Sequence, residues 1–258
     1  MDLLIARQFE YEPAKAFVLR YQLCVWPLIL VYFSSLFAIK RLMKNREAFD
    51  LRYPLIAWNV FLALFSTAGM LKTAPEFFQA VRTLGVFGSY CHKGDHFHGN
   101  EQGYWVWLFV VSKFLEFGDT YFVVLRKRPL IFLQYYHHAL TLVFAIYSYP
   151  AALGFNRWGM WLNYAVHSIM YTYFLLSSLK IKLPTAARLL VTATQIVQFV
   201  ICLFILTHLL VTMSGSEPPP CHFSWPITVL ALGMYLSYLI LFVNFFRNSY
   251  MAQSKKKQ

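Results

Sequence analysis

Over 258 residues, 59% of the side chains are hydrophobic, 19% aromatic and only 13% charged. That composition excludes a soluble globular domain and calls for a multi-span membrane protein. The formal charge of +12 could suggest a nucleic-acid binder, but the cations lie just beyond apolar stretches, where membrane topology accounts for them better. Residues 1–21 mix charged and apolar side chains and lack the apolar core of a cleaved signal. A bilayer crossing takes about 20 helical residues. Seven stretches fit, roughly 22–39, 54–71, 104–125, 130–149, 158–179, 188–211 and 225–246. The sequence therefore predicts an all-α membrane protein of seven transmembrane helices in a single domain, residues 1–258, the first helix retained as an uncleaved signal-anchor.

The basic residues choose an orientation. They cluster after the first stretch (Lys40, Arg41, Lys44, Arg46, Arg52), between the third and fourth (Arg126, Lys127, Arg128) and between the fifth and sixth (Lys180, Lys182, Arg188). The alternate connections hold only Lys72, Arg82, Lys93 and Arg157. The positive-inside rule puts the first set in the cytosol, with the C-terminus there and the N-terminus on the other side. Cys91 and Cys221 then fall in the two long connections facing an oxidising compartment, which predicts a Cys91–Cys221 disulfide. Cys24 and Cys202 lie within spans, where a buried thiol behaves as a small hydrophobe. The terminal Lys255-Lys256-Lys257-Gln258 has the KKxx form of a retrieval address for the endoplasmic reticulum.

Against this apolar background, ionisable and amide side chains inside the spans carry the information. A charge near the bilayer centre is costly and marks a functional interior. Lys113, Glu116 and Thr120 share one helical stripe with Asp119 beside it, and Gln134, His137 and His138 point into one sector. Asn163, His167, Met170 and Tyr171 repeat that spacing, and Thr194, Gln195 and Gln198 put amides on one side of the sixth span. At 1.5 Å per residue these groups, on four spans, lie roughly 10–18 Å from the cytosolic face. The agreement predicts one polar chamber opening to the cytosol, with apolar and aromatic walls continuing toward the far side. His92, His96 and His98 are expected to be solvated in a loop, and no metal cofactor is expected.

These strings resemble the elongases of very-long-chain fatty acids. The family pattern K-x-x-E-x-x-D-T is met by Lys113, Glu116, Asp119 and Thr120, and H-x-x-M-Y by His167, Met170 and Tyr171. T-Q-x-x-Q is met by Thr194, Gln195 and Gln198, and H-x-x-H-H falls on QYYHH, with Gln134 replacing the first histidine. The resemblance implies seven helices, six of them around a narrow substrate tunnel, in the endoplasmic-reticulum membrane. It implies condensation of a long-chain fatty acyl-CoA with malonyl-CoA to 3-oxoacyl-CoA, CoA and CO2. The reductases and the dehydratase of the elongation cycle are the implied partners, and a homodimer is open. Of the groups that can accept an acyl chain, His137, His138 and His167 are the candidates, with His137 as acceptor in a ping-pong route. Lys113, Glu116 and Asp119 read equally as active-site support or as an ion network fixing helix packing. Asn163, Tyr171, Gln195 and Gln198 are candidate support groups, and Gln134, which cannot ionise, an orienting or substrate-shaping one. A proton or lipid transporter and a catalytically silent scaffold are the rival readings.

Overall fold

The computed structural model describes residues 9–98 and 100–251; the dilysine pair Lys255 and Lys256 lies outside them. The described residues form α1 (Tyr11–Tyr21), α2 (Val25–Leu42), α3 (Arg52–Cys91), α4 (Asn100–Leu115), α5 (Phe117–Leu125), α6 (Phe132–Ser148), α7 (Asn156–Ser178), α8 (Thr185–Met213) and α9 (Trp225–Phe246). A helix thus stands at each predicted stretch, and α9 has the predicted bounds. Among the described residues, Tyr11–Leu42, Arg52–Cys91, Thr185–Met213 and Trp225–Ser249 are long and apolar enough to cross a membrane. The helices that fall short are α4 with α5, α6 and α7. Helices α4, α5 and α6 are short, at 16, 9 and 17 residues, whereas α7 has 23; between them these segments carry Lys113, Glu116, Asp119, His137, His138, Asn163 and His167.

Three details differ from expectation. The third stretch is two helices, interrupted at Glu116 between α4 and α5. The segment after residue 71, expected as a loop, stays helical to Cys91, with a break at Gly85 (φ 71°, ψ 173°). Its charged residues find partners as it continues: Lys72 with Glu101 at 2.7 Å, and Glu76 with Arg157. Before the first stretch, α1 forms a helix of its own and buries Tyr11, Ala14 and Val18.

Packing between neighbours closes a ring: α3 lies on α7, α7 on α8, α8 on α9, α9 on α6, α6 on α4, and α4 on α3. Helix α2 packs outside it, against α5 and α6. The outer faces present large apolar side chains such as Leu30, Leu64, Phe204, Val211 and Ile240, each more than half exposed, as a lipid-facing surface requires. Two tight reversals end α5 and α7. The Lys127 and Lys180 backbones are left-handed (φ 53° and 64°), and each cap sends two N–H groups back to the last turn. Both put a cation at a helix C-terminus, where the macrodipole favours it.

At the opposite end Cys91 and Cys221 are joined by a disulfide between the end of α3 and the α8–α9 link. Cys202 is buried, but Cys24 is exposed on the outer surface rather than packed in the core. Arg157, expected among loop charges, is 1% exposed at the start of α7. It grips both oxygens of Glu76 and donates to the backbone carbonyls of Ser89, His92 (2.8 Å) and Lys93 (2.6 Å). A side chain with only donors thereby fastens the end of α3 to α7.

Candidate active site

The interruption at Glu116 places the first group. Helix α4 ends one residue before it and α5 begins one residue after, so Lys113 and Glu116 turn inward together while Asp119 faces elsewhere. Lys113 and Glu116 are 2% and 3% exposed, too buried for either charge to stand alone. Lys113 Nζ donates to Glu116 Oε1 at 2.6 Å and to Asn163 Oδ1 at 2.9 Å, and it lies 4.2 Å from the centre of the Phe109 ring.

An ammonium only donates, so its bond fixes the Asn163 amide with its nitrogen turned away. That nitrogen lies 3.1 Å from His167 Nε2. Its role is also fixed, since an amide N–H can only donate, which makes Nε2 the acceptor and leaves the proton of the neutral ring on Nδ1. Nδ1 lies 3.7 Å from Glu116 Oε1, and Ser112 Oγ adds a donor to that oxygen at 3.3 Å. Glu116, Lys113, Asn163 and His167 therefore form a chain of directed hydrogen bonds between α4 and α7, whose far end, His167 Nδ1, faces Glu116 Oε1 beyond hydrogen-bond distance.

These bonds leave two buried atoms without a protein partner, Glu116 Oε2 and His138 Nδ1. A buried polar atom left unpaired costs about 1–3 kcal/mol, and neither residue lines the cavity inside the helix ring. His138 is within electrostatic reach of Glu116. His137, its neighbour on α6, packs against the Tyr238 ring with centroids 4.6 Å apart, and Tyr238 OH bonds the His137 carbonyl at 3.1 Å and Thr141 at 2.8 Å.

The other predicted residues divide. Asp119 accepts from Trp58 Nε1 at 2.6 Å and from Tyr171 OH at 2.7 Å, joining α3, α5 and α7 beside these bonds. Gly118 makes this possible, because a Cβ there would meet the Trp58 ring at 2.7 Å. Thr120, on the same sequence stripe, instead accepts from Tyr32 of α2. Gln195 Nε2 reaches Met170 Sδ at 3.3 Å and links α8 to α7, whereas Gln198 is buried and lines the cavity. Gln134 is half-buried one turn before His137 and His138. Tyr238, Thr141, Trp58 and Ser112 were not found from the sequence. Their only signal is general, that a buried Tyr or Trp seeks a polar partner.

His137, Asn163 and Gln198 line one end of a cavity inside the helix ring. Its free space, part of it open to solvent, is about 680 Å³, and little of that is wide enough for a water molecule to move in. The cavity is therefore a thin slot. Its middle is walled by Phe109, Val110, Phe144, Met160, Phe199 and Met234, and it follows α6 from His137 to Ser148, about 17 Å of helical rise. The far end is not wholly apolar, as expected, but includes His96, Ser148, Tyr149 and Asn156. His96, expected in solvent, is 1% exposed and pairs with Glu76 at 3.4 Å. Among the described residues no three His, Cys, Asp or Glu side chains are grouped to hold a metal ion.

A family model described as "ELO: GNS1/SUR4 family" matches residues 17–258. The chain is 45% identical to "Long chain fatty acid elongase 1" of Caenorhabditis elegans over 227 residues, 88% of this chain and 78% of that protein. It is 36% identical to "Very long chain fatty acid elongase 6" of Drosophila melanogaster, over 88% of this chain and 72% of that one. With "Very long chain fatty acid elongase 3" of Mus musculus the identity is 33% over 259 residues, 99% of this chain and 93% of the other.

Proposed function

Because the chain belongs to the GNS1/SUR4 (ELO) family of fatty acid elongases, we propose that it condenses a long-chain fatty acyl-CoA with malonyl-CoA, giving 3-oxoacyl-CoA, CoA and CO2. The observation that carries this is a narrow, largely apolar slot that ends at the His137 imidazole, with Asn163 of the directed Lys113–Asn163–His167 chain on its lining. A hydrocarbon chain fits such a slot, and its thioester then lies at the polar end.

The reaction we assign runs in two halves. His137 nitrogen attacks the acyl thioester, the C–S bond breaks, and CoA leaves with a proton as the thiol. The acyl-imidazole remains, as nucleophilic catalysis by histidine allows. Malonyl-CoA then loses CO2, and the electron pair of that C–C bond attacks the acyl carbonyl. The C–N bond breaks, 3-oxoacyl-CoA departs, and His137 is regenerated as a proton is taken up. His138, with its unpaired Nδ1, is assigned to the malonyl thioester, and His167, its tautomer set by Asn163, to its carbonyl or to proton handling. Lys113, Glu116 and Asn163 orient His167. Asp119 and Tyr171 brace α5 against α7, Gln198 borders the thioester, Gln195 ties the helices, and Gln134 shapes the entrance.

We place the protein in the endoplasmic-reticulum membrane as one domain over residues 1–258, with seven spans, six of them around the slot. The N-terminus is lumenal and the C-terminus cytosolic; the alternation of basic connections supports this. No cofactor enters the scheme, and the reductases and dehydratase that finish the cycle are the assigned partners. Purified protein supplied with labelled malonyl-CoA tests the activity: CO2 release that depends on acyl-CoA, with a product two carbons longer, is expected. Acyl-CoA alone should leave a covalent acyl adduct on His137; condensation without any adduct excludes the ping-pong route and leaves direct condensation.

A further inference from the structure

The slot is polar at both ends, whereas an ordinary acyl chain needs only one. At the far end three buried polar atoms have no protein partner: His96 Nε2, Tyr149 OH and Asn156 Oδ1. His96 and Tyr149 are 1% and 2% exposed, and all three residues line the slot. Their hydrogen-bonding roles follow from what the rest of each side chain does. His96 Nδ1 lies between Gln102 Nε2 at 3.2 Å and the acceptor-only Glu76 carboxylate at 3.4 Å, so the neutral ring can carry its proton on either nitrogen and Nε2 can donate or accept. Asn156 Nδ2 donates to the Ser148 carbonyl at 3.3 Å, which leaves its Oδ1 as an acceptor. Tyr149 OH can do either.

One acceptor and two groups able to act either way are complementary to a hydroxyl, which both donates and accepts. A methyl terminus would leave all three unpaired and desolvated. A carboxylate would face the Asn156 oxygen. We propose that the far end of the slot is a hydroxyl-binding subsite, and that acyl-CoAs bearing a hydroxyl at or next to the terminal carbon are a preferred substrate class. The inference rests on the condensing activity proposed above. A buried water carries the same chemistry, and the experiment separates the two sources.

Purified full-length protein would be given malonyl-CoA and matched pairs of acyl-CoAs, unsubstituted and ω-hydroxylated, over a range of chain lengths. At the length that spans the slot, the ω-hydroxy partner should show kcat/KM at least tenfold higher, and Tyr149→Phe should bring that ratio down toward one. Equal or better use of the unsubstituted chain at every length would mean that a water fills the subsite, and would overturn the proposal while leaving condensation intact. Thermal stabilisation of the protein by the same pairs gives a readout independent of turnover. A larger shift with the ω-hydroxy member supports the subsite even if no acyl-CoA is condensed, and equal shifts at every length count against it. Absence of condensation with every pair would be a failure of the proposed activity instead. If the Tyr149 variant does not fold, the wild-type ratio alone decides.

Discussion

Lys113 and Glu116 are each other's principal compensation in a site that excludes solvent, so the two cannot be assessed one at a time. Truncating Lys113 to Met leaves a buried carboxylate with only the Ser112 hydroxyl and a distant imidazole, at an expected cost of about 3–5 kcal/mol. Replacing both, as Lys113→Met with Glu116→Leu, removes the uncompensated charge and should recover most of that loss in denaturant unfolding. Condensation should not recover with it, since the apolar pair can neither fix the Asn163 amide nor face His167. A stable double variant with normal turnover would assign the pair to helix packing alone. For the histidines, single Ala variants of His137, His138 and His167 should each lower condensation by about 10²–10⁴-fold, measured as product formed by protein of unaltered thermal stability. The stripe and sector patterns in the sequence brought together Lys113, Glu116, Asn163 and His167, because helical spacing fixes which side chains share a face. The same patterns misplaced Thr120, because spacing does not say which neighbouring helix receives that face.

At the scale of elements, the far end of α3 holds what hydropathy could not see. Hydropathy detects residues that need lipid, and the stretch from Lys72 to Cys91, though it carries charges, continues as helix with Glu76 held by the buried Arg157. For the same reason His96 and Arg157 looked like solvated loop residues and are core. Burial holds the His96 imidazole below its ordinary pKa, against the opposing pull of Glu76 beside it. The unfolded chain takes up this proton as pH falls through about 6.5 while the folded protein resists it. The folded state therefore loses stability below that pH, by at most about 1.4 kcal/mol per pH unit. His96→Gln should flatten this part of the profile between pH 6.5 and 5.5 in thermal unfolding, whatever its stability at neutral pH. An unchanged slope would locate the acid sensitivity in other groups. The break at Gly85 is a second device of this element. Its φ of 71° and ψ of 173° suit glycine almost alone, and a Cβ there would meet nothing within 4 Å. Gly85→Ala should thus cost about 1–3 kcal/mol from backbone conformation only, read as a lower denaturation midpoint with condensation retained in the folded fraction.

For the molecule as a whole, the helix at each of the seven predicted stretches was legible because the apolar runs are long. The ring closure was not, since it depends on α3 reaching α7 and α4 across the sequence. The disulfide is where the whole-molecule topology can be tested most sharply, for it joins residues 130 apart. Closing so long a loop restricts the unfolded chain, and removing it should cost about 2–5 kcal/mol. Cys91→Ser and Cys221→Ser should destabilise alike, and the double variant no more than either, because each single change already opens the loop. The bond also reports orientation. In the orientation proposed from the basic connections, Cys91 and Cys221 lie on the lumenal side, where an oxidising compartment would keep the pair joined. In sealed microsomes treated with a permeant reductant, an impermeant thiol reagent added outside should therefore leave both cysteines unlabelled until detergent opens the vesicles. Labelling before detergent would invert the whole arrangement, carrying the polar mouth of the slot to the lumenal face and away from cytosolic acyl-CoA.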